Sequence, residues 1–189
     1  MILLVLIALN LFYFADLLLH RIRPQKLSGL LKQCFRETYM IGSSVDAIPN
    51  TIRRCSEKLE LPQKPLEVSI PLGANMNMDG NCAVLMLLMP VIGLINGVDL
   101  TFVEAMIMGL TILMLSIGAP NQPGSLTVAT MILLPQLGLS EDVITITLIV
   151  EIITCRILAA SNVLGDVVSS KIIGEQERRR VQKQKEVQS

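Results

Sequence analysis

The sequence predicts an all-α membrane protein, built from transmembrane helices and at least one helical hairpin that enters and leaves the bilayer on the same side. Hydrophobic residues make up 51% of the 189-residue chain and charged residues only 17%, whereas soluble domains carry about 25% charged residues. A polar cluster at 69–81, SIPLGANMNMDGN, lies within apolar sequence, and the uncharged stretch 105–140 is interrupted at its centre by proline and glycine. Together these features favour a membrane protein with broken helices.

The first predicted element is a transmembrane helix at 1–19. These residues carry one charge, Asp16, and at 1.5 Å per residue they span a hydrocarbon core of about 30 Å. A signal peptide is the alternative, but no basic segment precedes the apolar run and no small-residue cleavage site follows it. Because the run begins at Met1, the chain either starts with this helix or is the later part of something longer.

Residues 27–61 are predicted to form a helical hairpin. Basic sequence flanks a moderately apolar segment, 37–49, which is broken at Gly42-Ser43-Ser44. The pattern fits a hairpin on the membrane surface or a re-entrant hairpin with its tip at this break. Taken alone, the pattern slightly favours the surface.

Residues 69–98 form the next predicted span, with Pro90 as a kink. Asp79 and the neighbouring amides are expensive to place in hydrocarbon, so we expect them to face a partner, a cavity or an ion. Gly73 and Gly80 flank this cluster and permit a locally unwound backbone. Carbonyl, amide and carboxylate oxygens together suit an alkali cation. The alternative is an ordinary helix start with Asp79 as its cap.

Residues 105–139 predict a re-entrant hairpin. The break at 116–125, SIGAPNQPGS, leaves halves of eleven and fourteen residues, which reach about 16 and 21 Å and fall short of a ~30 Å core. A tip at membrane depth has to line a cavity or pack on protein. Interrupted apolar segments of this kind are typical of the binding sites of transporters.

The last predicted span is 143–168, followed by a charged tail at 176–189 that we expect to be solvated. Arg156 lies about 120° from Asn162 on this helix and faces elsewhere. Four polar or polarisable residues fall within about 60° of arc, namely Glu151, Cys155, Asn162 and Asp166.

Charge between the predicted spans sets the orientation. Of sixteen lysines and arginines, five fall in 20–36, four in 53–64 and six in 171–185. The loops 99–104 and 140–142 carry only acidic charges. The positive-inside rule therefore predicts that the basic segments and the C-terminus are cytoplasmic and that the acidic loops lie outside.

Several motifs resemble those of the dicarboxylate/amino acid:cation symporters, the family that includes the glutamate transporters. PLGANMNMDG at 71–80 resembles the family's seventh-helix motif, SIGAPNQPG at 116–124 its outer hairpin tip, and NVLGD at 162–166 the motif in its eighth helix. Ser43 and Ser44 sit where the family has a serine-rich inner hairpin tip. The resemblance covers nearly the whole chain.

This resemblance implies a fold like the transport domain of a glutamate transporter over residues 1–175. In that fold 27–61 is an inner re-entrant hairpin, which reverses the preference drawn from pattern alone, and 105–139 is the outer one. The helices that precede this region in the family are absent from the chain. We therefore expect a fragment or a reduced form that lacks the N-terminal scaffold helices.

The resemblance also implies cation sites, with Na⁺ as the transported coupling ion. Oxygen ligands suit this hard ion, and a bound cation would offset the cost of burying Asp79 or Asp166. The residues that match the family's three cation sites are Gly73, Asn77, Asn162 and Asp166 for the first, Asn77 and Asp79 for part of the second, and Asn75, Met78, Ser116, Ile117 and Ala119, mostly through backbone carbonyls, for the third.

A small organic solute is implied between the hairpin tips and the last span. Cys155, Leu158 and Ala159 stand where acidic-amino-acid carriers of the family have an aspartate, an arginine and a threonine, so we expect glutamate and aspartate to bind poorly. Helix N-termini at the tips can still hold one carboxylate. The matching solute positions are Ser43, Ser44, Asn81, Gln122, Pro123, Gly124, Cys155, Leu158, Ala159 and Asn162.

We interpret the chain as part of a sodium-coupled secondary active symporter for a small organic solute of the dicarboxylate or amino acid class. The main alternative is a non-transporting relative or truncated product that keeps the cation sites without a working solute site. A third interpretation is a structural membrane subunit whose polar residues only bind neighbouring helices.

Other function classes find little support in the sequence. No nucleophile–base pair or nucleotide motif points to an enzyme, and zero formal net charge suggests no nucleic-acid partner. The four scattered cysteines favour neither a disulfide framework nor a metal site. We expect a multi-pass protein of the cell membrane, in contact with the lipid bilayer. The resemblance implies a trimer, formed through scaffold helices that this chain does not contain.

Overall fold

The structure is a computed structural model that describes residues 2–19, 24–59, 61, 63–118 and 122–188, and within these residues all regular structure is helical. The predicted all-α class is confirmed. Two short 3₁₀ turns, Leu134–Leu137 and Glu141–Val143, precede the last helix. The helices are α1 Ile2–Leu19, α2 Pro24–Ile41, α3 Ile48–Leu59, α4 Gln63–Met76, α5 Asp79–Ile95, α6 Phe102–Gly118, α7 Ser125–Leu133 and α8 Ile144–Gln188.

Two stretches of the described chain are long and apolar enough to cross a membrane. They are Gln63–Ile95, which comprises α4 and α5, and Glu141–Arg180 within and just before α8. The helices Phe102–Gly118 and Ser125–Leu137 are also apolar but shorter. The two shorter apolar helices therefore lie between the two long apolar stretches along the chain.

Each helix pair that was predicted as a hairpin turns at a glycine with positive φ. Gly42, between α2 and α3, has φ +85°, and Gly124, just before α7, has φ +98°. Side chains with a Cβ disfavour this left-handed region, so glycine permits both reversals. Residues 119–121, within the second turn, lie outside the described residues.

Buried apolar side chains form two clusters, which follow one another along α8. The first joins α2, α3 and α4 to the middle of α8, with Leu30, Ile70 and Val167 among its members. The second joins α5, α6 and α7 to the N-terminal half of α8 and includes Met89 and Leu158. Asn77 and Asp79 lie between the two clusters along 63–95, and Asn162 lies between them along α8.

Helix α8 is the central support of the fold. It packs against α1, α2, α3, α4, α5 and α7, and it continues through 176–188 without interruption. Glutamate, glutamine, lysine and arginine are good helix formers, which explains why a segment expected only to be charged and solvated is helical. The helix therefore extends well past the apolar clusters.

Helix α6 presents much of its apolar surface outward. Phe102 is 79% exposed, and Met106, Leu110 and Met114 are each more than half exposed. Outward apolar faces of this size are typical of surfaces that contact lipid or another protein. Contact of this apolar face of α6 with water alone would therefore be unfavourable.

The loop before α6 has the character of a water-exposed segment. The Glu104 carboxylate accepts hydrogen bonds from the Thr101 hydroxyl at 2.7 Å and the Thr101 backbone N–H at 2.9 Å. These bonds, the side-chain one first, lower the pKa of Glu104. The carboxylate therefore stays ionised, which favours contact with water over hydrocarbon.

Candidate functional site

The long stretch 63–95 is unwound at Asn77 and Met78. Helix α4 ends at Met76 and α5 begins at Asp79, and Met78 has φ −98° and ψ 45°. The backbone N–H of Gly80, in the first turn of α5, donates to Asn162 Oδ1 of α8 at 2.8 Å. This bond satisfies one of the N–H groups that a helix start leaves without an internal acceptor.

Asp166 of α8 faces this break. Its side chain is buried, and its Oδ1 accepts a hydrogen bond from Asn77 Nδ2 at 3.1 Å. Its Oδ2 is also buried and has no hydrogen-bond partner in the described part of the chain. Gly73 of α4 lies against the same carboxylate, since a Cβ there would be 2.5 Å from Oδ1. Glycine is therefore required for α4 to approach the carboxylate this closely.

Asp79, the other carboxylate at the break, is bound by a residue that the sequence argument missed. The Tyr13 hydroxyl of α1 donates to Asp79 Oδ2 at 2.7 Å. Tyr13 also packs on Gly165, where a Cβ would lie 2.6 Å from both the Tyr13 hydroxyl and Asn77 Nδ2. The only signal in the sequence was a hydroxyl within the apolar run of α1.

The donor set at the break fits a hard cation. Carboxylate and amide side chains meet there from the break itself, α5 and α8, and a carboxylate oxygen of Asp166 is left unpaired by the described residues. Among the described residues, no three histidine, cysteine, aspartate or glutamate side chains lie together so that they could hold a metal ion. Transition metals prefer nitrogen and sulfur ligands, whereas oxygen-rich sites favour hard cations. The residues present therefore suit Na⁺ better than zinc or iron.

The side chains of the third predicted cation set turn back on their own helices. Asn75 Nδ2 donates to the Pro71 carbonyl at 2.7 Å, and Ser116 Oγ donates to the Leu113 carbonyl at 2.8 Å. Met78 is buried and Ile117 is exposed. Ala119, the remaining member, lies outside the described residues. Because this set was expected to act mainly through backbone carbonyls, it stays a prediction.

A small cavity lies where the two turns meet α8. Its volume is about 10 Å³, enough for roughly one water molecule. Gly42 of the first turn lines the cavity, as do Ser125, Leu126 and Glu151. Five of the predicted solute residues also line it: Asn81, Gln122, Pro123, Cys155 and Leu158.

The other predicted solute residues do not line this cavity. Ser43 and Ser44 are buried, with Ser44 Oγ 3.4 Å from the Ala74 carbonyl, to which it donates. Ser43 Oγ accepts the Asp46 N–H at 3.2 Å. Ala159 and Asn162 are buried on α8, and Gly124 directs its N–H toward Glu151.

Glu151 makes the most hydrogen bonds at the second turn. Its carboxylate accepts the backbone N–H groups of Gly124 at 2.8 Å, Leu126 at 3.1 Å and Thr127 at 3.0 Å, and it also accepts the Thr127 hydroxyl. The sequence placed Glu151 on the polar face of the last span, but not at the start of α7. That N-terminus, expected to be open to a solute carboxylate, is occupied by a carboxylate of the chain itself.

Arg156 does not face the cavity. Its guanidinium donates to the carbonyls of Tyr39 at 3.2 Å and Met40 at 2.8 Å, at the C-terminal end of α2. A cation at this position satisfies helix-end carbonyls and complements the helix dipole. Arg156 therefore joins α2 to α8 and packs against Gly42 without lining the cavity itself.

The chain matches known proteins over this whole region. The model of the sodium:dicarboxylate symporter family matches residues 1–176. Excitatory amino acid transporter 3 of Mus musculus is 30% identical over 168 residues, covering 89% of this chain and 32% of that protein. Excitatory amino acid transporter 1 of Ambystoma tigrinum is 30% identical over 176 residues, covering 93% and 32%. An excitatory amino acid transporter of Onchocerca volvulus is 31% identical over 132 residues, covering 70% and 27%.

The chain spans about a third of the length of these relatives. The matched residues include the break in 63–95, both glycine turns and the two carboxylates of α8. The relationship inferred from the motifs is therefore confirmed, and the chain belongs to the sodium:dicarboxylate symporter family.

Proposed function

We propose that this chain forms the cation- and solute-binding part of a sodium-coupled symporter for a small organic solute in the cell membrane. The observation that carries the proposal is the buried Asp166 carboxylate, whose Oδ2 finds no hydrogen-bond partner among the described residues. A buried charge without compensation costs several kcal/mol. A bound Na⁺ would balance the charge and supply the missing contact.

The cation ligands follow from the residues around the break. We assign Gly73, Asn77, Asn162 and Asp166 to one cation, and Asp79 with Asn77 to a second. The hydrogen bond from Asn77 to Asp166 and the close approach of Gly73 support the first assignment. The Tyr13 hydroxyl at Asp79 supports a role for α1 in holding the second carboxylate in place.

The membrane arrangement we propose places α2–α3 and α6–α7 as re-entrant hairpins, with α1, 63–95 and the apolar part of α8 as spans. Helix α7 and the turn after it comprise thirteen residues, about 20 Å, which is short of the bilayer core. Gly42 from the first turn and Pro123 from the second line one cavity. Two tips that meet inside the protein fit the requirement that non-helical backbone at membrane depth be buried or line a cavity.

A specific observation also favours a second candidate, a relative that binds cations but moves no solute. The cavity between the tips is only about 10 Å³, and Leu158 offers apolar surface there. In this alternative the sodium site would persist for stability alone. Solute uptake by the full-length protein separates the two candidates.

Sodium should stabilise the detergent-solubilised protein. A ligand that binds only the native state raises the melting temperature by mass action, and we expect a shift of about 5 °C in saturating NaCl relative to choline chloride. Asp166→Asn should abolish most of this shift, because the charge that attracts the cation is removed. Thermal denaturation followed by fluorescence of a thiol-reactive dye measures the effect.

The matched control for this experiment is Asp99→Asn, which removes a carboxylate from an exposed loop. This variant should keep the full sodium shift. Identical melting curves of the unmutated protein in sodium and choline would rule out the proposed cation site.

The proposed orientation can be tested by labelling introduced cysteines in intact cells. With the native cysteines replaced by serine, cysteines at positions 99 and 141 should react with a membrane-impermeant maleimide from outside, and cysteines at 54 and 179 should not. The reason is the bias of lysine and arginine toward the segments proposed to be cytoplasmic. Labelling of a cysteine at position 54 in sealed cells would contradict the proposed orientation.

A further inference from the structure

The N-terminus of α7 is closed by an acidic side chain from a distant part of the chain. The first N–H groups of a helix have no internal acceptors. Here the N–H groups of Gly124, Leu126 and Thr127 all point at Glu151, 24 to 27 residues further along the chain. Glu151 comes from α8, so the contact joins the tip of the second hairpin to the central helix.

Both oxygens of the Glu151 carboxylate are engaged. Oε1 accepts the N–H groups of Gly124 and Leu126, and Oε2 accepts the N–H and the hydroxyl of Thr127. The residue is 6% exposed. Helix N-termini attract anions through these N–H groups and the helix dipole, and charge-assisted hydrogen bonds are stronger than neutral ones. Glu151 therefore holds the position that a carboxylate of a solute would otherwise take.

A second observation comes from the other side of the cavity. Asn81 is 4% exposed and donates from Nδ2 to Ser125 Oγ at 3.0 Å, while its Oδ1 has no hydrogen-bond partner in the described part of the chain. This buried oxygen can only accept, so it calls for a donor. The side chain lines the same cavity as Glu151.

No lysine, arginine or histidine occurs among the described residues that line this cavity. Arg156, the nearest arginine along α8, is held at the C-terminal carbonyls of α2. The one ionisable carboxylate among the described lining residues is thus the fully hydrogen-bonded Glu151, and the neutral polar side chains beside it are Asn81, Gln122, Ser125 and Cys155. A solute carboxylate would meet a like charge and would find the helix N–H groups already used.

We propose that Glu151 acts as a tethered anion that excludes carboxylates from this tip, so that the solute is a neutral or cationic molecule with a hydrogen-bond donor for Asn81. The proposal rests on the proposed function, in which a solute binds between the two tips. It makes Glu151 a specificity-determining residue. The relatives are named excitatory amino acid transporters, so this proposal gives the chain a different class of solute.

Chemical rescue tests this assignment. Glu151→Ala removes the tethered carboxylate and leaves the N–H groups of α7 and a space beside them, so that acetate, used as the probe, should bind there. We expect acetate at saturating concentration to raise the melting temperature of Glu151→Ala by about 4 °C relative to chloride at equal ionic strength. The unmutated protein should show no difference between the two anions.

Glu151→Gln is the matched control. It preserves the length of the side chain and an acceptor oxygen at the helix start, so it should respond to acetate no more than the unmutated protein. If Glu151→Ala does not fold in chloride, the yield of monodisperse protein purified in acetate should exceed the yield in chloride. Equal stabilisation of all three proteins by acetate, or a folded Glu151→Ala that ignores acetate, would overturn the proposal.

The two proposals fail in different ways. Each melting curve is recorded in sodium and in choline, with acetate or chloride as the anion. Loss of the sodium shift with the acetate pattern intact would overturn the proposed cation coupling and leave the role of Glu151 standing. A normal sodium shift with no acetate pattern would overturn only the role of Glu151.

Discussion

Gly165→Ala is expected to destabilise the protein by about 2 kcal/mol, although alanine normally favours a helix over glycine by about 1 kcal/mol. A Cβ at Gly165 would lie 2.6 Å from the Tyr13 hydroxyl and from Asn77 Nδ2, and 2.7 Å from the tyrosine ring. Neither neighbour moves freely, because Tyr13 is bonded to Asp79 and Asn77 to Asp166. The melting temperature in choline chloride measures the loss, and the variant should also lose part of the sodium shift.

Two other glycines of the same helical structure provide controls. A Cβ at Gly29 of α2 would meet nothing within 4 Å, so Gly29→Ala should be neutral or slightly stabilising. At Gly174 the nearest atoms are the side-chain ends of Leu61 at 2.6 and 2.8 Å, which can rotate away, so Gly174→Ala should cost less than Gly165→Ala. If Gly165→Ala melts like Gly29→Ala, the close packing of α1 on α8 described above is incorrect.

Asn162→Ala is expected to lower stability and to remove the sodium response together. Asn162 Oδ1 is the acceptor for the buried N–H of Gly80, and a buried N–H without an acceptor costs about 1–3 kcal/mol. The same side chain is a proposed cation ligand. Thermal melts separate the two effects. The melting temperature in choline reports the loss of stability, and the difference between the melting temperatures in sodium and choline reports the sodium response.

Asn162→Asp distinguishes a structural role from cation binding. It keeps an acceptor for Gly80 but places a second carboxylate one helical turn from Asp166. Without a cation the two charges repel, so the variant should melt below the unmutated protein in choline and show a larger sodium shift. A full sodium shift of the melting temperature in Asn162→Ala would show that Asn162 is not a cation ligand.

The features set by local chemistry could be predicted from the sequence. Composition gave the all-helical membrane class, and glycine and proline marked the interruption near Asn77 and the turn before Gly124. The helical period placed Asn162 and Asp166 on one face of α8 and Arg156 on another. These inferences need only the chain's own periodicity, because each concerns residues a few turns apart.

The features set by tertiary packing could not be predicted. Tyr13 meets Asp79 across 66 residues, and Glu151 meets the start of α7 only because the second hairpin folds back onto α8. Sequence spacing does not determine which helix face meets which, so neither contact has a local signal. Buried polar groups acquire partners wherever the fold supplies them. Tyr13 and Glu151 are both such partners that the sequence did not reveal.

The uninterrupted course of α8 makes the helix a mechanical lever. From Asp166 to Gln188 it continues for a further 22 residues, which corresponds to about 33 Å. Packing against Leu61 holds the helix as far as Gly174, so a tilt of about 10° beyond that point would carry the far end through about 4 Å. A slight bend beyond the packed part of α8 would thus become a larger displacement of its charged end.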